Sequence, residues 1–136
     1  MKLINKNTDY AVRAIMELAG GGDFFMSAKE ISEKQKIPYQ FLRRVLAPLI
    51  KNGIIKSKEG AGGGVKLAIG PDKIRIIDLI KTYHGNFQIS ECMFRGSPCL
   101  NRDDCVLREE ITGIEKGLIS KFEKITIQKL LKKSGR

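Results

Sequence analysis

The sequence lacks most of what an enzyme or an exported protein displays. Its 136 residues include one histidine, His84, no tryptophan and three cysteines. No Ser/His/Asp or Cys/His set stands in a persuasive arrangement, so catalysis is not expected. No apolar run approaches the roughly 20 residues that a membrane helix needs. The opening Met1-Lys2-Leu3-Ile4-Asn5-Lys6-Asn7 has no apolar stretch of the signal-peptide kind. These absences predict a soluble, cytoplasmic protein without membrane contact. Internal repeats and low-complexity tails are missing too. The cysteines are odd in number and confined to residues 92–105, which does not make a disulfide framework.

What is present is positive charge, unevenly placed. The chain carries 25 Lys+Arg against 15 Asp+Glu, a net charge of +10. Residues 1–75 hold 14 basic and 7 acidic residues, so most of the excess lies in the first half. A basic first half points to a polyanionic partner, because Lys and Arg that neutralise phosphates release counterions. At 42% hydrophobic residues the chain can also build a core.

Apolar spacing predicts the elements. A first helix starts near Asn7 or Thr8 as N-cap, carries Ala11, Ala14, Ile15 and Leu18, and stops at Gly20-Gly21-Gly22. Ser27-Ala28-Lys29-Glu30 reads as a capping box opening a second helix that runs to about Gln35. After Lys36-Ile37, Pro38 suits the first position of a third helix with Leu42, Val45, Leu46 and Leu49 inward and Asn52-Gly53 at its end. Pro48 should kink or loosen that helix's last turn. Residues 54–58 and 65–69 read as two strands around the glycine-rich tip Gly60-Ala61-Gly62-Gly63-Gly64. Three helices and a hairpin in about 70 residues make a winged helix-turn-helix pattern. A fourth helix covers Ile76 to Tyr83. Leu107, Ile111, Ile114, Leu118, Phe122 and Ile125, spaced 4, 3, 4, 4 and 3, form a near-heptad seam that predicts a dimerisation helix. Thr126 to Leu131 reads as a last short helix. The expected fold is mostly α with a small β wing. Its parts are a DNA-binding domain over 1–83, a cysteine-rich loop over 84–105, and the dimerisation and C-terminal helices over 106–136.

With the apolar stripe turned inward, Tyr39, Gln40, Arg43 and Arg44 fall on the outer face of the third helix. That half enters the major groove in helix-turn-helix proteins. Arg pairs with guanine edges or phosphates, and Gln with adenine. Lys56, Lys58 and Lys66 flank the wing tip, where Gly62 and Gly63 allow close backbone approach to DNA. A nucleotide-cradling loop does not fit, since GxxxxGK[ST] is absent and no helix follows directly. The cysteines stand as Cys92-x6-Cys99-x5-Cys105, too widely spaced for a CxxC zinc knuckle. Thiolates are soft ligands for iron–sulfur clusters, which normally need four ligands, and this loop supplies three. Thiol redox switching and zinc binding remain open on the residues alone.

Thr8-Asp9-Tyr10-Ala11-Val12-Arg13-Ala14, Ile31-Ser32-Glu33-Lys34-Gln35-Lys36-Ile37-Pro38 and Leu49-Ile50-Lys51-Asn52-Gly53-Ile54-Ile55, with the glycine wing, the three cysteines and the long helix, resemble the Rrf2 family of winged-helix regulators, the IscR, NsrR and RirA group. The resemblance covers nearly the whole chain. It implies a homodimer on palindromic operator DNA and an iron–sulfur cluster ligated by Cys92, Cys99 and Cys105, sensing cluster, redox, iron or nitric oxide status. IscR-like members place a histidine shortly after the third cysteine; here Val106-Leu107-Arg108-Glu109 has none. NsrR-like members use an aspartate near the start of the first helix of the other subunit, and Asp9 stands at the matching place. Asp103, Asp104, Glu109 and His84 are the other candidates. Asp9 favours 4Fe–4S over 2Fe–2S. Two departures bear on DNA: Glu59 stands where the family often has Arg, and Val65 where it often has an aromatic. The operator preference of relatives is therefore not transferred.

Overall fold

The computed structural model describes residues 3–89 and 104–135. Helix α1 spans Lys6–Gly20, α2 Ala28–Gln35, α3 Tyr39–Lys51, α4 Ile76–His84, α5 Val106–Glu123 and α6 Ile127–Lys133. Strands β1, Ile55–Lys58, and β2, Gly64–Leu67, pair antiparallel as the wing.

The interior of α1 follows its apolar spacing, with Ala11, Ala14, Ile15 and Leu18 buried. Its start differs from expectation. The N-cap is Asn5, not Asn7 or Thr8, and the Asn5 side chain accepts from the Thr8 backbone N–H at 3.0 Å. Thr8 is instead inside the first turn and fully buried, its hydroxyl donating to the same Asn5 oxygen at 3.1 Å. A buried hydroxyl needs such a partner, and Thr8 finds it one turn back. The Asn5 amide in turn donates to the Tyr83 carbonyl at 3.4 Å, which ties α1 to the end of α4.

The cap of α2 is half of the expected box. Ser27 accepts from the Glu30 N–H at 3.1 Å, while the Glu30 carboxylate lies 3.5 Å from Lys34, one turn on. Lys36 ends α2 in the left-handed region, φ 54°, a conformation that costs a side-chain-bearing residue about 1–2 kcal/mol. Ser32 closes this turn by donating to the Ile37 carbonyl and so helps hold Lys36 there. Pro38 is the N-cap of α3 rather than its first residue. The helix continues through Pro48 to Lys51; the missing Pro48 N–H costs one hydrogen bond without ending it. The fourth helix reaches one residue further than expected, to His84.

The wing has a third edge that its own sequence does not announce. Met26, between α1 and α2, bridges Val65 with bonds of 2.9 and 2.8 Å. Gly64 passes so close to the Met26 carbonyl, at φ 138°, that a Cβ there would collide with backbone. The register sets Lys56 opposite Lys66. Like charges facing across a strand pair repel, and Asp23 relieves this by binding Lys66 at 2.9 Å. The Phe25 ring lies under both Lys66 and Lys58, at 5.1 and 5.8 Å.

Leu42, Val45, Leu46 and Leu49 of α3, Ile31, Ile37, Ile55 and Ile77, Leu79 and Ile80 of α4 complete the core around α1. The chain returns to it at the end. Residues 74–76 run antiparallel to 125–127, with Ile76 N–H donating to Ile125 and Ile127 N–H to Ile74, both at 2.9 Å. Ile127 and Leu131 of α6 are thereby buried. The long helix α5 has no buried residue. Leu118, Ile119 and Phe122 pack against the core, Phe122 with its ring 6.0 Å from that of Phe87. Val106, Leu107 and Ile114 stand out at 74%, 68% and 52% exposure.

Ile127→Ala is expected to lower the unfolding free energy by about 2–5 kcal/mol in denaturant melts, because it empties a fully buried site; a negligible loss would show α6 to be a dispensable appendage. Asp23→Asn should leave the melting midpoint nearly unchanged, since exposed ion pairs contribute little, while raising the mobility of residues 60–64 in NMR relaxation. The hydrogen bond from Lys66, and then its charge, hold the Asp23 carboxyl below its ordinary value. The brace is therefore complete above the ordinary carboxylate value and is lost as pH falls through the lowered one. A wing whose mobility ignores both the substitution and acid would rule it out.

Candidate DNA-reading face and cysteine site

The outer face of α3 follows from its buried one. With Leu42, Val45, Leu46 and Leu49 inward, Gln40, Arg44, Ala47 and Lys51, spaced 4, 3 and 4, line the opposite side, flanked by Arg43. Tyr39, Gln40, Arg43 and Arg44 are all exposed, as their positions require. The two arginines do not hang free. The Arg43 guanidinium lies 5.8 Å over the Tyr39 ring and that of Arg44 5.3 Å over Phe41. Stacking of this kind fixes the plane and leaves the N–H edges available. Phe41 was not singled out from the sequence; the signal is an aromatic three residues before an arginine on one helix.

Lys56 and Lys58 are exposed on one face of β1, and the register puts Lys66 beside them. Lys66 differs in being 18% exposed and paired with Asp23. Gly62 sits at the open tip with φ 75°. At Gly63 a Cβ would run into the Lys58 carbonyl, so the turn itself requires this glycine.

Of the three cysteines, Cys105 belongs to the described residues; Cys92, Cys99 and Asp103 lie outside them. Cys105 is half-buried and is the N-cap of α5, its Sγ accepting from the Arg108 N–H at 3.4 Å. A sulfur at a helix N-terminus faces the positive end of the helix dipole. Ile89 marks the other end of the cysteine segment, and its N–H donates to the Glu115 carboxylate at 2.8 Å. Ile89 and Cys105, on either side of that segment, thus both bond to α5.

Asp9, in the first turn of α1, pairs with Arg13 at 3.1 Å, and both are about half exposed. Asp104 and Glu109 are exposed, and His84 is the half-buried last residue of α4. Among the described residues no three His, Cys, Asp or Glu side chains converge. Tyr83 links α4 to the reading helix by donating to the Val45 carbonyl, and burial pushes its phenol above its ordinary value. No helix among the described residues is long and apolar enough to cross a membrane.

Comparison with known proteins gives this geometry its setting. The Rrf2 family, described as iron-dependent transcriptional regulators, matches residues 4–133. The HTH-type transcriptional regulator NsrR of Oceanobacillus iheyensis is 30% identical over 131 residues, covering 95% of this chain and 89% of its own. The structure of CymR, the global cysteine regulator of B. subtilis, superposes with a TM-score of 0.79 at 26% identity, covering 96% of each chain. That of T. potens IscR gives 0.72 at 27% identity over 98% of this chain and 88% of its own. A match across nearly the whole sequence, shared with regulators of the same six-helix, one-wing architecture, makes this chain a member of the Rrf2 family of DNA-binding transcriptional regulators.

Proposed function

We propose that the chain is an iron–sulfur-dependent repressor that binds palindromic operator DNA as a homodimer. In this reading Cys92, Cys99 and Cys105 hold the cluster, Asp9 reaches across from the second copy as fourth ligand, and a 4Fe–4S form is preferred to 2Fe–2S. The observation that carries it is the double position of Cys105, last of the three cysteines and N-cap of α5. The donor set fits the group: clustered soft thiolates with one oxygen ligand.

When bound, a cluster supplies a centre whose oxidation and ligand exchange respond to oxygen, iron and nitric oxide. The chain's own residues do the rest. Cys105 holds the first turn of α5 through the Arg108 N–H, and Glu115 holds Ile89 against the same helix. The exposed side chains of Val106, Leu107 and Ile114 offer the apolar side on which a second α5 packs. What happens at Cys105 thus acts on the dimer seam, and through it on the spacing of two reading heads about one helical turn apart. Gln40, Arg43 and Arg44, with Tyr39, address the major groove, and Lys56, Lys58 and Lys66, with Gly62 and Gly63, the backbone beside it. Glu59 makes no phosphate contact.

A second reading, a cluster-free thiol-redox or zinc-dependent repressor, draws on the likeness to CymR, a cysteine regulator. Protein purified without oxygen separates the two. The first reading expects iron and acid-labile sulfide with visible absorbance, lost in Cys99→Ala, and altered in Asp9→Ala but not in Arg13→Ala. Zinc without sulfide, or reversible thiol oxidation without metal, overturns it. Ile114→Glu is expected to halve the mass in sedimentation from twice 15.2 kDa and to abolish preference for a palindromic duplex over a single half-site. A variant that stays dimeric removes α5 from the seam, and a wild type that binds no duplex at low salt removes DNA reading altogether.

A further inference from the structure

The C-terminal half of α3 and the end of α4 border an open cleft of about 580 Å³. Its walls are Arg44, Ala47, Pro48 and Lys51 of α3, Asn52 just beyond, and Thr82 of α4. Arg44, Ala47 and Lys51 belong to the outer stripe of α3, so the cleft opens at the edge of the DNA-reading face. Among the described residues no carboxylate lines it. Asp78, one turn before Thr82, is occupied by Arg75, whose Nε and guanidinium nitrogen reach its two oxygens at 3.0 and 2.9 Å. Lys51 is exposed, and the stack on Phe41 leaves the Arg44 N–H edge unused. Ala47 adds no bulk between them.

Thr82 determines how Asn52 is turned. The Thr82 hydroxyl donates its one proton to the Asp78 carbonyl at 2.8 Å. Towards Asn52 it can therefore only accept, and it does so from Nδ2 at 3.4 Å. The same nitrogen keeps a second N–H for the cleft. Two full cations and a directed amide thus line the cleft, outweighing the roughly half negative charge at the C-terminal end of α3.

We propose that this cleft is an anion site that takes a backbone phosphate of the DNA flanking the bases read by α3. Lys51 and Arg44 supply charge, Asn52 an oriented N–H, and Thr82 acts as the positioning residue. The proposal rests on the DNA-reading face described above and deepens it. It assigns Arg44 to the backbone rather than to a base edge, and it extends the contact surface past the residues visible in the sequence. A phosphate contact carries no sequence information but sets register, and each neutralised phosphate adds about 0.9 to the slope of log affinity against log salt.

The test is fluorescence anisotropy of the full chain on a duplex selected from a random pool by the wild type, and on its scrambled counterpart. Salt is varied from about 50 to 200 mM. Lys51→Gln is expected to lower the salt slope by about 0.9 per protomer and to weaken both duplexes equally, and Lys51→Arg to restore the slope. Thr82→Val is expected to cost about twofold to tenfold in affinity with the slope kept, and Thr82→Ser to recover it. Wild-type binding with an unchanged slope and affinity in Lys51→Gln overturns the cleft and leaves the reading face standing. A wild type that binds neither duplex overturns the reading face itself. Inorganic phosphate provides the remaining arm. If it shifts the Asn52 side-chain amide in NMR while Lys51→Gln leaves DNA binding intact, the cleft serves a free anion and not the backbone.

Discussion

The tie between residues 74–76 and 125–127 governs how the rest of the molecule is arranged. Two backbone hydrogen bonds and the buried side chains of Ile74, Ile76 and Ile127 bring the end of the chain back to the core. They fix the last turns of α5, where Leu118, Ile119 and Phe122 pack, while Val106, Leu107 and Ile114 nearer its start are exposed. The described residues that flank the cysteine segment both meet this helix, Ile89 through the Glu115 carboxylate and Cys105 as its N-cap. Without the tie, α6 would lose its backbone bonds to the residues ahead of α4, and α5 would rely on its side-chain packing against the core.

Charge is arranged with similar economy. Three lysines on one face of a two-stranded wing repel one another, and among the described residues Asp23 and the Phe25 ring offset them. Both precede α2, and Met26 beside them bridges the wing at Val65. The wing is therefore braced from the far side of the helix-turn-helix unit. Lys66, ion-paired and largely covered, contributes to that brace, whereas Lys56 and Lys58 keep more of their ammonium in solvent. On α3 the arginines are ordered by neighbouring rings instead of by acids, which preserves their charge for an anion. The reading face thus keeps its positive potential while losing little side-chain entropy on contact.

The interior was legible from spacing because helix burial has a period that sequence carries locally: Ala11, Ala14, Ile15 and Leu18, or Leu42, Val45, Leu46 and Leu49, point inward as their intervals require. The termini were less so. Asn5, Asn7 and Thr8 can all cap a helix, and the choice of Asn5 rests on Thr8 being buried and on Tyr83, 78 residues away. The seam of α5 was read as one stripe, yet it divides, with Leu118 and Phe122 against the core and Leu107 and Ile114 exposed. Spacing alone cannot say which neighbour an apolar side meets. The Met26 bridge, the Asp23–Lys66 pair and the Asn52–Thr82 bond join residues 39, 43 and 30 positions apart. No local pattern encodes such contacts, and the functional surface is built largely from them.

The placement of Asp9 has a mechanical consequence for the proposed reading. It adjoins Thr8, whose hydroxyl and N–H both bind the Asn5 oxygen; Asn5 reaches the Tyr83 carbonyl, and the Tyr83 hydroxyl binds the Val45 carbonyl inside α3. A force applied at the first turn of α1 therefore reaches the reading helix through four residues that are largely shielded from water. Such a chain transmits nothing unless some element has two arrangements that the ligand distinguishes. In the proposed dimer, the exposed Val106, Leu107 and Ile114 of α5 would supply them by packing on a second copy. In a dimer, a ligand set shared between Asp9 of one copy and the cysteines of the other would join both requirements at one point: the hydrogen-bonded route into α3 begins beside Asp9, and α5 is capped by Cys105.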